Sequence, residues 1–188
     1  MQENLVKSFK VSTLALALAL SLPAISGFGQ VMVGGAAMYS NKDIIDNAVN
    51  SKDHTTLVAA VKAADLVSTL KGAGPFTVFA PTNDAFSALP AGTVETLLKP
   101  ENKALLSKIL TYHVVAGKLD GAALRKQIDM GGGKATLTTV EGETLTVTTD
   151  DNKLVVTDKK GGRAHVTIAD VTQSNGVILV VDKVLHPA

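Results

Sequence analysis

The chain has 188 residues, with 18 Lys and Arg against 17 Asp and Glu, two Tyr, no Trp and no Cys. So even a charge balance exerts no long-range pull on nucleic acid or anionic lipid, and the sparse aromatics offer no base-stacking platform. The lack of cysteine removes disulfides, thiol catalysis and thiolate metal sites, and the length suits one domain with one core behind a short leader.

Lys7 and Lys10 precede an almost wholly apolar run from Val11 to Leu22, followed by Pro23 and the small residues Ala24, Ser26 and Gly27. This is the three-part pattern of a secretory signal peptide, and its apolar run of about 12 residues is shorter than the ~20 a membrane span needs. Residues 1–29 are therefore expected to direct export, with cleavage near 26–29 and no stable membrane insertion afterwards. Without Lys7, Lys10 and Glu3 the chain keeps 16 charges of each sign and is formally neutral. The expected location is outside the cytoplasm, at the cell surface, in the extracellular space or in the periplasm. Residues 30–40, small and Met-rich with Gly34-Gly35, read as a flexible lead-in, and a single domain is expected over 41–188.

Within that domain, Asp43 to Val49 and Thr56 to Leu70 read as helices, the second carrying Leu57, Val61 and Ala64 at helical spacing until Gly72, Gly74 and Pro75 stop it. Phe76 to Ala80 is a short aromatic and β-branched strand halted by Pro81. Thr82 or Asn83 then offers an N-cap, Asp84 suits the positive end of a helix dipole, and Phe86 folds back onto the core. Thr93 to Leu98 and Glu101 to Tyr112 are helical. In the latter Leu105, Ile109 and Tyr112 form one stripe and Leu106, Leu110 and His113 another, aiming Tyr112 and His113 inward. Asp120 to Ile128 makes a further helix.

From Lys134 the period changes to two. Ala135 to Val140, Thr144 to Thr149, Leu154 to Thr157 and Ala164 to Val171 alternate apolar residues with Thr or charge, divided by Glu141-Gly142, Asp150-Asp151-Asn152 and Gly161-Gly162. Ser174-Asn175-Gly176 is a turn signal. Val177 to Val181 is apolar throughout, so it is expected to be a central strand covered on both faces. The order of helices and then strands predicts an α+β fold.

Phe76 to Phe86 (FTVFAPTNDAF), Tyr112-His113-Val114-Val115 and Asn175 to Pro187 (NGVILVVDKVLHP) resemble, in order and spacing, the signature blocks and internal Tyr-His motif of the fasciclin (FAS1) domain family. The resemblance spans roughly Asn41 to Pro187. It implies two small β-sheets in a wedge with helices around one side, and Phe76, Phe79, Thr82, Asn83, Phe86, Asn175, Gly176 and Asp182 as structural motif positions. Many bacterial members carry His in the last strand where this chain has Leu179, so no role of that histidine carries over.

The resemblance also implies adhesion without catalysis. Tyr112 and His113, flanked by Leu110, Val114 and Val115, would match an adhesive motif, and Pro81 and Asp84 a receptor-binding loop. Plain structural chemistry accounts for the same residues. A buried imidazole without a partner costs about 1–3 kcal/mol, so His113 is expected to hydrogen-bond, with Asn83 and Asp84 as candidate partners. Pro81, Asn83 and Asp84 shape a strand-to-helix turn, and Asp182 needs a partner or a wet edge because Lys183 faces the other way.

Other chemistry finds little footing. His54, His113, His165 and His186 are dispersed, so no metal site is expected; His165 should face solvent, and Asp53 or Thr55 should cap the helix after His54. Gly131-Gly132-Gly133-Lys134 lacks the first glycine and the following Ser or Thr of a phosphate loop, and Ser174 lacks a nucleophile elbow. No enzyme and no cofactor are expected. The leading expectation is a monomeric or weakly oligomeric adhesion module for a cell-surface or matrix protein or polysaccharide. The alternative is an envelope module holding a small molecule or lipid in an apolar groove between helices and sheet.

Overall fold

A computed structural model describes residues 30–188; the expected leader, 1–29, lies outside them. Residues 30–40 are not a flexible lead-in. Val31–Val33 (β1) and Ala36–Met38 (β2) pair as an antiparallel hairpin, and Val33 and Met38 are buried. Gly34 and Gly35 have φ of 58° and 74°, the left-handed geometry of a tight two-residue hairpin, so they build a turn here rather than confer looseness. The hairpin is tied down where Lys52 N–H donates to Gly34 O at 3.2 Å.

Helix α1 (Ile44–Ala48) starts at Asp43, whose carboxylate accepts from Asp46 N–H at 2.8 Å. A 3₁₀ turn over Lys52–His54 leads into α2 (Thr55–Ala63). The helix expected over Thr56 to Leu70 divides in two. Asp65 takes φ 61° and Leu66 N–H reaches back to Val61 O at 3.0 Å, a helix stop in which aspartate fills the role usually given to glycine. Helix α3 (Val67–Leu70) follows, then β3 (Phe76–Pro81), α4 (Asn83–Ser87), α5 (Thr93–Leu97), α6 (Lys103–Tyr112), β4 (Val114–Ala116) and α7 (Gly121–Met130). The rest is strand: β5 (Lys134–Thr138), β6 (Thr144–Asp150), β7 (Lys153–Thr157), β8 (Arg163–Gln173) and β9 (Gly176–Val181). The expected α+β class holds.

Seven strands pair in the order β4-β3-β9-β8-β7-β6-β5, antiparallel throughout except for the parallel β3–β9 pair. Register shifts at Val166, Ile168 and Val171 bend the long β8, so it serves two sheets that meet at an angle. An isolated bridge between Val115 and Thr139 draws the far edges together and closes the wedge.

Strand β9 lies between β3 and β8, and all six of its residues are buried, as its unbroken apolar run predicts. Alternation along β3 and β9 splits the interior into two cores rather than one. Val78, Ala80, Ile178 and Val180 face the helices; Phe79, Val177, Leu179 and Val181 face the cleft of the wedge, which Leu124 and Ile128 of α7 fill from one side. Leu105, expected in the buried stripe of α6, is half exposed, because Leu106, Ile109 and Leu110 already cover the core-facing side.

The Asn175-Gly176 turn locks this arrangement. The Asn175 side chain accepts from Ile44 N–H at 3.1 Å and donates to Leu70 O at 2.7 Å and Gly72 O at 3.1 Å. Its own carbonyl accepts from Phe76 N–H at 3.0 Å. A Cβ on Gly176 would collide with the Phe76 carbonyl oxygen. Gly176→Ala is therefore expected to cost about 3 kcal/mol through forced displacement of β3 from β9, read as a lower urea midpoint. An unchanged midpoint would contradict the close approach.

Candidate functional site around Tyr112 and His113

Helix α6 hands over to β4 at Tyr112-His113, and the four residues from Tyr112 to Val115 divide between the two cores. Tyr112 and Val115 enter the wedge core, whereas Val114 and the end of α6 at Leu110 enter the helical core. Tyr112 is 0% exposed, and its hydroxyl donates to Thr144 O and accepts from Lys159 N–H, both at 3.1 Å. It thereby pins the helix end to β6 and to the turn after β7. Burial pushes its phenol above the ordinary tyrosine value.

His113 is 2% exposed. Its Nδ1–H donates to Ile109 O at 2.8 Å, and Nε2 accepts from Leu185 N–H at 2.9 Å, an arrangement that requires the neutral ring. The Asn83 and Asp84 partnership is thus replaced by two backbone groups: one a turn earlier on α6, which α-helical geometry places beneath the ring, the other in the C-terminal segment. Burial pushes the imidazole down to about 4, with His186 acting in the same direction and the Ile109 carbonyl and Asp158 opposing it. The His113 carbonyl meanwhile accepts from Phe79 N–H at 2.9 Å, so one residue joins α6, β3 and the chain end.

The first block is equally occupied with internal work. Thr82 is the N-cap of α4, accepting from Ala85 N–H at 3.3 Å, and Phe86 is buried against the helical core. Asn83 reaches instead to the neighbouring helix. It accepts from Thr56 N–H at 3.0 Å and donates to Lys52 O at 2.7 Å, supplying the cap of α2 that Asp53 or Thr55 was expected to give. Pro81 is buried and Asp84 exposed. Of the residues singled out as binding candidates, Tyr112, His113, Leu110, Val114, Val115 and Pro81 are internal; Asp84 alone presents its side chain to solvent.

Asp182 has a partner that the sequence reading did not name. It accepts from His165 N–H at 2.7 Å and approaches His165 Nδ1 at 3.0 Å across the β8–β9 edge. His165 is half exposed, as its alternation predicts. Asp158 is buried and was overlooked. Its carboxylate collects N–H bonds from Lys160, Gly162 and His186 at 2.7–2.9 Å, tying the Gly161-Gly162 turn to the C-terminus. An Asp ahead of a Gly-Gly pair was the available signal. The buried Asn47–Gln173 side-chain hydrogen bond joins α1 to the end of β8 and left no local pattern in the sequence. Among the described residues no cluster of three or more His, Cys, Asp or Glu is placed to hold a metal ion, and no helix is long and apolar enough to cross a membrane.

Two sheets joined through a bent strand, with both signature blocks and the Tyr-His pair serving as internal ties, define an α+β wedge module. The fasciclin domain family model matches residues 52–187, and the chain belongs to that family. It is 52% identical over 156 residues to protein sll1483 of Synechocystis sp., covering 83% of this chain and 79% of that protein. It is 36% identical over 159 residues to the cell surface glycolipoprotein MPB83 of Mycobacterium bovis, covering 82% and 64% respectively. The solved FAS1 domain pair of the insect cell adhesion molecule fasciclin I superposes with a TM-score of 0.68 at 18% identity; the match covers 77% of this chain and about half, 51%, of that one.

A neutral, buried His113 has a definite pH signature. Its folded pKa near 4 lies below the ordinary 6.5, so the unfolded chain binds the proton first and acid favours unfolding. The stability it contributes is complete above pH 6.5 and is lost as pH falls from 6.5 towards 4, by about 3 kcal/mol over that window. Urea midpoints at pH 7 and 4.5 should show the drop, and His113→Gln, though less stable at pH 7, should show a smaller one. Equal acid slopes in both proteins would contradict this assignment.

Proposed function

We propose that this protein is an exported, non-catalytic binding module that attaches to a cell-surface or matrix protein or polysaccharide. The observation that carries this reading is its membership of the fasciclin domain family, in which a fold neighbour comes from a cell adhesion molecule and a relative is named as a cell-surface glycolipoprotein. Attachment uses the outer surface, since the motif side chains other than Asp84 are buried, Tyr112 and His113 with their polar atoms hydrogen-bonded internally. Asp84 is the accessible residue of the first signature block, on the first turn of α4 beside the Asn83 link to α2. The module acts as a monomer or weak oligomer, and its signal peptide directs it out of the cytoplasm.

A second reading is favoured by one observation. An apolar cavity lies between the β1–β2 hairpin, α1, α2 and the helix-facing side of the sheet; at about 40 Å³ it holds a few waters, so carriage of a small molecule there requires the hairpin to move outward.

Protein beginning at Gln30 should bind intact cells or immobilised matrix polymers saturably. Asp84→Ala should weaken that binding about tenfold while leaving the melting temperature unchanged, as expected for an exposed contact residue. Absence of saturable binding to any such surface would refute attachment. Undiminished binding by Asp84→Ala would move the contact to another face.

A further inference from the structure

After β9 the chain runs from Lys183 to Ala188 without regular structure, and the groups that hold it down are chemically alike. Among the described residues no backbone group of this strap bonds to another backbone group. Its N–H groups go to side chains instead: Leu185 N–H donates to His113 Nε2 at 2.9 Å, His186 N–H to Asp158 Oδ2 at 2.9 Å and Ala188 N–H to Glu143 Oε2 at 2.8 Å. Lys108 adds one bond to the Ala188 carbonyl oxygen at 3.3 Å. All three acceptors are titratable, one an imidazole and two of them carboxylates. Val184 sits in the helical core and Leu185 in the wedge core, so the strap plugs both.

Protonation works against this attachment. A proton on His113 Nε2 turns the acceptor into a donor facing the Leu185 N–H, and a proton on Glu143 removes the charge that Lys108 and the Ala188 N–H share. His113 meets Asp158, from the turn after β7, which favours the charged ring, and His186 of the strap, which opposes it. Glu143 meets Lys108 of α6 and Lys159 of the turn after β7, both of which keep its carboxylate ionised, and Glu141 shares Lys108 at 3.7 Å. The largest cause of the lowered Glu143 value is the Ala188 N–H, and the largest cause of the lowered His113 value is burial, which the seated strap completes. Lifting the strap removes the first and relieves the second. Both groups therefore take up a proton more readily with the strap lifted than with it seated, so falling pH favours lifting. For His113 the window runs from 6.5 to about 4, and Glu143 adds to it below its ordinary 4.5.

We infer that residues 183–188 form an acid-released strap, held on the body by His113, Asp158 and Glu143 and lifting from it before the fold as a whole unfolds. Burial of Val184 and Leu185 and four hydrogen bonds hold the strap, against the backbone freedom that six residues regain on release. These opposing contributions place the segment at the low end of local stability, well below the doubly covered strands. Once lifted, it uncovers the His113 ring and the wedge-core slot that Leu185 fills, a surface kept closed at neutral pH.

Hydrogen exchange of the purified protein at pH 7 and 4.5, in low urea and corrected for intrinsic rates, reads the strap separately from the sheet. The Leu185, His186 and Ala188 amides should exchange through a small opening that urea barely accelerates, while Val177 to Val181 still wait for global unfolding. With His113 at about 4 when covered and at its ordinary 6.5 when freed, protection of the Leu185 amide should fall about fiftyfold between the two pH values. In His113→Gln most of that fall should vanish, since Gln offers an acceptor that acid does not silence. Strap amides that exchange only together with β9, at either pH, would overturn the inference. So would a small opening with equal protection at both pH values, which describes plain fraying, or an undiminished fall in His113→Gln. If that variant does not fold, the His113 ring of the unmodified protein decides by NMR. Its titration must track the loss of Leu185 protection, and a ring that titrates only as β9 unfolds would overturn the strap.

Discussion

Parallel pairing of β3 with β9 is the constraint on which the remaining structure hangs. The two strands lie a hundred residues apart in sequence and each is covered on both sides, so the polar side chain of Thr77 on β3 is accommodated only because its hydroxyl donates to Gly117 O and accepts from Leu119 N–H. Joining them incurs the entropy of closing a long loop before any contact is gained. The pairing persists because alternation along the two strands serves two cores at once. Removing β9 would open the helical core and the wedge core together.

Residues of the signature blocks and the Tyr-His motif act here as internal ties. Asn175 gathers the start of α1 and the end of α3 around its side-chain amide and holds the start of β3 on its backbone carbonyl. Tyr112 and His113, adjacent in sequence, anchor to β6 and to the C-terminal segment respectively, fixing where α6 stops and β4 begins. Such buried polar networks are costly when partly satisfied and specific when complete. A fasciclin module built this way keeps its interior occupied with holding itself together, so the side chains free for outside contacts are those on its surface.

Much of this was legible in the sequence. The switch from helical to twofold period located the halves and the unbroken Val177 to Val181 run marked the central strand, while the parallel pairing of the two signature-block strands is visible only in the fold. What escaped was decided at long range. Asn83 stands where a local N-cap is expected, yet its amide caps a helix begun 28 residues earlier. Gly34-Gly35 carries the same letters whether it loosens a chain or turns a hairpin, and only the docking of that hairpin on Lys52 decides. The partners of His113 are backbone groups, which have no sequence identity to search for. His54 read as a polar loop residue because its neighbours Asp53 and Thr55 are polar, and the fold buries it nonetheless.

Native-state hydrogen exchange tests this account most directly. If β3–β9 pairing underlies both cores, the amides of Val177 to Val181 and of Phe79 should exchange only through global unfolding, with the free energy measured by urea denaturation. Protection of the β5–β7 amides should not exceed theirs. Exchange of the β9 amides through a smaller opening, while β5 to β7 stay protected, would show that the wedge stands without this pair and would contradict the account.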